Sequence, residues 1–196
     1  RHGTCKNLTE HNTALGENVT TVPGVLEVFL ANNPGIGFVE NHTQAEMARL
    51  LIEQMPQLKK SGVDTIYTEM PVLLRPEIQN AAPQELRQWA ETGGYRDFKI
   101  ASQENWAMMY GQDVAKTDNV PPEHLRLIAA AKEQSIRMVY IDKPHGLARQ
   151  YEGARHLPHR ISTTNFVWTE NIEADRARLK QETGVEGKYV VYGGEM

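Results

Sequence analysis

The sequence predicts an α/β fold with a mainly parallel sheet flanked by helices. Short apolar segments alternate with segments of helical periodicity in the order strand, helix, strand, helix, strand, helix, strand. The predicted strands are 36–40, 63–68, 136–141 and 189–192. Parallel strands joined in this way need right-handed crossovers. We expect a single domain over residues 1–196, with the polar, aperiodic residues 1–21 as a mobile lead-in.

The helix after the first strand has local signals at both ends. Thr43 and Glu46 have the spacing of a capping box, with Thr43 as the N-cap and Glu46 reaching back to its amide. Pro56 lies inside the apolar pattern and predicts a kink. The pair Ser61-Gly62 predicts the end of this helix.

The other helices are predicted from similar signals. The expected helical segments are 25–31 before the first strand, 86–90 and 104–110 in the long middle section, one that opens at Pro121-Pro122, and 161–183. Gly93-Gly94 interrupts the middle section, and residues 143–159 are predicted to form a loop rich in His, Arg and Gly.

The composition narrows the function classes. Of 196 residues, 40% are hydrophobic and 23% are charged, the formal net charge is −4, and the pI is about 6.0. This balance is ordinary for a globular protein and argues against a nucleic-acid partner, although a local basic cluster can still hold a small anion. The single Cys5 excludes an intrachain disulfide, and no apolar run approaches the ~20 residues of a transmembrane helix. The chain begins at Arg1, so we interpret it as a fragment whose leader, if any, lies upstream.

Polar residues follow the predicted strands at their carboxyl ends. Glu40 with His42, Glu69, Asp142 with His145, and the pair Gly193-Gly194 occupy these positions. Ligands of open α/β sheets bind beyond the carboxyl ends of the strands. The sequence therefore predicts a polar site lined by carboxylates and histidines at that edge.

Two interpretations of the acidic residues are open. A helix N-terminus after His42 favours the neutral imidazole, which acts as a base or metal ligand; Glu40 and His42 can equally satisfy amides of that helix's first turn. Glu69 is either functional or paired with an arginine. Acids on the adjacent strand ends of Glu40 and Glu69 would repel unless a cation or a shared proton lies between them, which favours a functional role.

A basic cluster precedes the last predicted helix. Its members are Arg149, Arg155, His156, His159 and Arg160. Most are interpreted as a solvated loop and helix cap, and His145 as a surface histidine or a substrate ligand. Arg160 is the best binding candidate, because it begins a helix that faces the predicted site and can hold a carboxylate or phosphate, with Asn165 one turn further on.

The tryptophans are predicted to have structural roles, and four common active-site motifs are absent from the sequence. Trp89, Trp106 and Trp168 are predicted to be core or helix-packing residues. The sequence has no Gly-x-Ser-x-Gly elbow, P-loop, Gly-x-Gly-x-x-Gly or His-Glu-x-x-His motif. Common serine hydrolases, nucleotide-binding folds and zincins are therefore poor matches.

These motifs, in this order, resemble the erythromycin esterase, ChaN and TIKI-type superfamily. The segments that carry the resemblance are Gly37-Phe-Val-Glu40-Asn-His42, Gly62-Val-Asp-Thr-Ile-Tyr-Thr-Glu69, the strand that ends in Asp142, and 188–194. Arg160-Ile-Ser-Thr-Thr-Asn165 resembles a stretch from the branch found in bacterial cell-modifying toxins and secreted effectors. The chain departs from the family at Val39, where many relatives have glycine. The family often has a histidine just after the last strand, and the sequence given reaches Met196 without one, so either it is cut short there or a ligand is missing.

The resemblance implies roles for individual residues. In the esterase branch a histidine activates water and carboxylates orient it, whereas the TIKI branch holds a metal with similar residues. The catalytic candidates are Glu40, His42, Glu69 and Asp142, and the substrate-binding candidates are Arg160, Asn165 and His145. A divalent metal is a candidate cofactor, with Glu40, His42 and Glu69 as its candidate ligands.

Two functions from different classes follow. The first is an effector or toxin domain with a hydrolase-type, esterase- or metalloprotease-like site, secreted by a bacterium and acting in the host cytosol on a host target or small molecule. The alternative is a non-catalytic module of the same fold that binds haem, a metal or a host protein. The departures at Val39 and at the end of the chain favour this alternative.

Overall fold

A computed structural model describes residues 21–40, 45–94, 122–141 and 157–194, with the side chains at 39, 40, 71, 74, 157–166 and 194 excluded. Several predictions lie outside the described residues: the lead-in 1–20, His42 and Thr43, the segment 104–110, Asp142, His145, and most of the loop 143–159. The statements below concern the described residues.

The helices and strands alternate as the periodicity predicts. In chain order they are α1 (Val22–Asn32), β1 (Gly35–Glu40), α2 (Glu46–Lys60), β2 (Val63–Thr68), a 3₁₀ helix (Pro71–Leu74), α3 (Pro76–Asn80), α4 (Pro83–Thr92), α5 (Pro122–Glu133), β3 (Arg137–Tyr140), α6 (Leu157–Thr183) and β4 (Lys188–Gly194). None of these helices is both long enough and apolar enough to cross a membrane.

The described strands form one parallel sheet in the order β1-β4-β2-β3. Glu40 at the end of β1 is opposite Gly194 in β4, while Thr68 at the end of β2 is opposite Tyr192. The carboxyl ends therefore meet at one edge, as predicted. The expectation that Glu40 and Glu69 follow adjacent strands is wrong, because β4 lies between β1 and β2.

Helices cover both faces of the sheet. One face packs against α1, α2 and α5, and α4 packs on α5, in a core that includes Leu30, Leu51, Leu86, Ile128 and Val190, all at most 1% exposed. The opposite face packs against α6 in a smaller cluster built on Tyr67, Ile141 and Ile172. Burial of each large apolar side chain contributes about 1.5–3 kcal/mol, so both layers hold the sheet in place.

The ends of α2 confirm one prediction and correct another. Ala45 occupies the N-cap position without a side-chain hydrogen bond, so the prediction that Thr43 is the N-cap is wrong: the helix starts at Glu46, further along the chain. The helix continues through Pro56 to Lys60. Gly62 follows with φ 89°, a left-handed conformation that glycine adopts without steric cost, and this confirms the predicted stop.

Helix α6 begins earlier than the predicted residue 161. It starts at Leu157, so His159 and Arg160 belong to its first turns rather than to a preceding loop. Arg160 is its fourth residue and does not begin the helix. The backbone of Arg160 therefore lies inside a regular helix. The direction of that helix is set by contacts of residues later in α6.

Polar contacts fix α6 on the sheet. Asp175 accepts hydrogen bonds from the Tyr67 hydroxyl at 2.8 Å and from the Arg137 guanidinium at 3.1 and 3.2 Å. One residue further on, Arg176 pairs with Asp64 at 2.5 Å. Asp64 and Arg137 lie near the amino ends of β2 and β3, so the earlier part of α6 runs toward the carboxyl ends of the strands.

Candidate functional site

Glu69 lies where the sequence predicts, immediately after β2 at the carboxyl edge of the sheet. The residue is 5% exposed. The buried Thr68 holds the following turn, because its Oγ1 accepts a hydrogen bond from the backbone N–H of Met70 at 3.3 Å. The chain then enters the 3₁₀ helix, which leaves the Glu69 carboxyl group at the end of a rigid, buried strand.

At Gly193 the indole ring of Trp168 and the carboxyl group of Glu69 both lie close to the backbone of β4. A Cβ atom at position 193 would lie 2.7 Å from Cη2 and 2.9 Å from Cζ3 of Trp168, and 3.7 Å from Oε1 of Glu69. Real Cβ atoms do not approach a carbon this closely, so the ring of Trp168 occupies space that only glycine leaves open. The three residues Glu69, Gly193 and Trp168, from three elements, form what we call the rim cluster.

Trp168 contacts both the buried cluster under α6 and the carboxyl edge of the sheet. It packs against the buried cluster of Tyr67 and Ile172, which confirms the prediction of a helix-packing residue. Its Nε1 atom is buried and has no hydrogen-bond partner among the described residues. The contact with Gly193 and Glu69 was not predicted. The signals for it were the glycine pair at the end of the last strand and the helical spacing of Trp168 and Ile172.

Glu40 lies on the other side of β4 from Glu69. Its backbone is opposite Gly194, the residue after Gly193. Neighbouring strands are about 4.8 Å apart, so the backbones of β1 and β2 are separated by roughly 10 Å at this edge. Glu40 and Glu69 therefore follow strands on opposite sides of β4. The predicted repulsion between the two carboxylates assumed that these strands were direct neighbours.

The third strand ends at the same edge. Ile141 donates its backbone N–H to the Thr68 carbonyl at 3.0 Å and accepts a 2.7 Å hydrogen bond at its own carbonyl from Nδ2 of Asn171. Asn171 on α6 was not singled out from the sequence. These bonds fix the chain just before Asp142, which together with His145 lies outside the described residues.

The two substrate-binding candidates on α6 differ in their distance from the rim cluster. Asn165 precedes Trp168 by three residues, which corresponds to about 4.5 Å along the helix axis and places the two on one helix face. Arg160 precedes Trp168 by eight residues, or about 12 Å. Asn165 is therefore one turn from the rim cluster, whereas Arg160 is more than two turns beyond it.

A metal centre is not built by the described residues. They contain no group of three or more His, Cys, Asp or Glu side chains that could hold an ion. Of the candidate ligands, Glu69 has a described side chain, Glu40 has a described backbone, and His42 lies outside the described part. The expected divalent metal stays a prediction.

Comparisons with known proteins relate the fold to toxin domains. No protein-family model and no curated protein matches the chain. Among solved structures, RRSP, a MARTX toxin effector domain from Vibrio vulnificus CMCP6, matches 95% of this chain with a TM-score of 0.54 and 23% identity. The type III effector HopBA1 matches 88% of this chain and 71% of its own, with a TM-score of 0.47 and 17% identity.

The match to RRSP shows a shared fold. This chain corresponds to 32% of the RRSP chain, so it spans about a third of that protein. An α/β fold also found in a bacterial toxin effector domain is thus shown. The finer resemblance to the erythromycin esterase superfamily stays a prediction.

Proposed function

We propose that this chain is a bacterial effector or toxin domain with a hydrolase-type site at the carboxyl edge of its sheet. The observation that carries the proposal is the buried residue Glu69, 5% exposed, which follows a parallel strand and lies close to Gly193 and Trp168. The fold shared with a MARTX toxin effector domain supports the effector role.

Burial of Glu69 is the physical reason to assign it a function. Removing an ionised carboxylate from water costs several kcal/mol unless other groups compensate. A buried carboxylate is therefore held by interaction partners, and Glu69 has such an interaction in this structure. In the same low-dielectric surroundings a carboxylate interacts more strongly with a substrate or a water molecule, which is the property that a catalytic site uses.

The proposed roles follow from the resemblance to the esterase branch. His42 acts as the general base that activates water, and the carboxylates of Glu40 and Glu69 orient that water. A positioned general base typically contributes ~10²–10⁴-fold to the rate. Asp142 follows β3 directly after Ile141 and is a further carboxylate for the same edge.

Substrate contacts are proposed on the neighbouring helix and loop. Asn165, one helical turn before Trp168 in the chain, is the proposed contact to a substrate close to Glu69. Arg160, further out on α6, is suited to an anionic group at the far end of a larger substrate, and His145 is a third candidate. The substrate is a host protein or small molecule, met in the cytosol of the host cell after secretion.

The proposal is tested by inducible expression of the chain in cultured eukaryotic cells. The variants are Glu69→Gln and His42→Ala, with Glu53→Gln as the matched control, because Glu53 is exposed on α2. We expect the wild type and Glu53→Gln to impair growth, and the two site variants to lose at least ten-fold in potency. Circular dichroism and thermal unfolding of the purified proteins verify that all four are folded.

Each other outcome has a defined meaning. A wild-type chain without any effect on the cells contradicts the effector role. A folded Glu69→Gln variant that is as potent as the wild type contradicts the hydrolase-type site and favours the alternative, a non-catalytic module that binds haem, a metal or a host protein.

A further inference from the structure

The indole N–H group of Trp168 is buried, and no described residue accepts a hydrogen bond from it. The ring itself is partly buried and packs on the cluster of Tyr67, Ile141 and Ile172. Buried donors without an acceptor are rare in folded proteins, and a bound ligand is one of the reasons for them. An indole nitrogen donates and does not accept, so the group that completes this site is a hydrogen-bond acceptor.

The unpartnered donor lies at the rim cluster. The outer edge of the six-membered ring, Cη2 and Cζ3, is 2.7 and 2.9 Å from the position that a Cβ atom would occupy on Gly193. Oε1 of Glu69 is 3.7 Å from the same position. Nε1 belongs to the adjoining five-membered ring, one ring width behind that edge. One substrate molecule at the end of β4 can therefore reach both the indole N–H and the Glu69 carboxyl group.

The charges of the rim cluster favour a neutral acceptor. Its only ionisable member is Glu69, and the indole is uncharged. An ionised Glu69 would repel a phosphate or a carboxylate of the substrate, and the rim cluster has no cation to offset that repulsion. A carbonyl oxygen accepts a hydrogen bond without carrying a net charge. It is also the group that esterase-like and protease-like hydrolysis share.

We propose that Trp168 is a substrate-binding residue whose indole N–H donates a hydrogen bond to the carbonyl oxygen of an ester or amide substrate. This inference rests on the proposed hydrolase-type function and adds to it a residue that the family resemblance does not supply. The hydrogen bond fixes the direction of the C=O bond, and with it the face of the carbonyl carbon that is presented to the attacking water. Glycine at position 193 leaves the indole ring the space that this role needs.

The test replaces the N–H group and keeps the ring. Benzothienylalanine in place of Trp168, introduced by stop-codon suppression, has the same two fused rings with sulfur where tryptophan has N–H. The same replacement of Trp89 is the matched control, because Trp89 is also partly buried but packs on the core of the opposite face. Both proteins are compared with the wild type and Glu69→Gln in the cell-growth assay, and the purified proteins are unfolded with urea.

We expect the Trp168 replacement to lower potency about three- to ten-fold, the typical effect of one lost hydrogen bond. Its urea midpoint should equal or exceed that of the wild type, because no hydrogen bond within the fold is lost. Lower potency without lower stability separates a substrate contact from a structural role, which would lower both. The Trp89 replacement should keep the potency of the wild type.

Two results overturn this inference alone. In the first, the Trp168 replacement is as potent as the wild type while Glu69→Gln is inactive, so the hydrolase-type site functions without this donor. In the second, the Trp168 replacement lowers the urea midpoint, so the N–H already bonds to another part of this chain. If the benzothienylalanine protein does not fold, Trp168→Phe takes its place, and full potency of that variant has the same meaning. A wild type without effect on the cells, or a fully potent Glu69→Gln, contradicts the proposed function and this inference with it.

Discussion

The hydroxyl group of Tyr67 donates a 2.8 Å hydrogen bond to Oδ2 of Asp175, 108 residues further along the chain. This bond joins the buried Tyr67, next to the last residue of β2, to α6. Burial, together with the hydrogen bond and the charge of Asp175, raises the pKa of Tyr67 above its ordinary value, so the hydroxyl stays protonated and remains a donor. The position of α6, and with it that of Trp168 at the rim cluster, depends on this contact.

We predict that Tyr67→Phe lowers the free energy of unfolding by about 1–2 kcal/mol, because Asp175 loses a buried donor while the aromatic ring remains. Tyr189→Phe is the matched control, since the two rings pack edge to face at 5.6 Å and no hydrogen bond of the Tyr189 hydroxyl is found among the described residues. Urea unfolding of both variants measures the difference. Equal stabilities for the two would show that the bond to Asp175 does not stabilise the fold.

Asp175 predicts a pH dependence. Burial raises the pKa of Asp175, but hydrogen bonds from Arg137, Arg178 and Tyr67 outweigh it and hold the pKa below its ordinary value. A lowered pKa in the folded state stabilises the protein above the pKa of the unfolded state, about 3.9, and this contribution is lost as the pH falls further. We expect Asp175→Asn to be less stable than the wild type at pH 7, and the difference to shrink below about pH 4. Urea unfolding between pH 7 and 3 tests this, and a constant difference would contradict it.

Gly193→Ala should disturb the rim cluster. The new methyl group would overlap the ring of Trp168, and overpacking of this kind typically costs about 1–3 kcal/mol. We expect that loss of stability, and a loss of potency in the cell assay. Gly37→Ala is the control: a Cβ atom there meets nothing within 4 Å, so stability should stay the same or rise by a few tenths of a kcal/mol. If Gly193→Ala behaves like Gly37→Ala in both assays, Trp168 does not need its position against Gly193.

Lys132→Met should destabilise the junction between α5 and α3. The substitution keeps most of the apolar stem but removes the donor shared by three backbone carbonyls, which predicts a loss of roughly 1–3 kcal/mol. Lys180→Met is the comparison, because Lys180 pairs with Glu186 on the surface, where solvent screens the two charges and the pair adds little to stability. Thermal unfolding of the two variants should rank Lys132→Met below Lys180→Met, and the reverse order would contradict the assigned role.

Part of the candidate site could be read from the sequence. The position of Glu69 follows from one buried apolar run that ends in an acid, and the position of Glu40 follows from another. The contact of Trp168 with Gly193 could not be predicted in the same way. It depends on which face of the sheet α6 covers and how far along that face the helix lies.

The sequence by itself determined the type and approximate bounds of the elements. The signals for strands, helices and the stop at Ser61-Gly62 each depend on a few consecutive residues. Because they are local, the bounds of β2 and the end of α2 were predicted to the residue. The tertiary structure decided that β4 inserts between β1 and β2 and that α6 packs on the face of Tyr67. Strand order depends on contacts between residues far apart in the chain, such as Thr68 with Tyr192, and no local pattern encodes them.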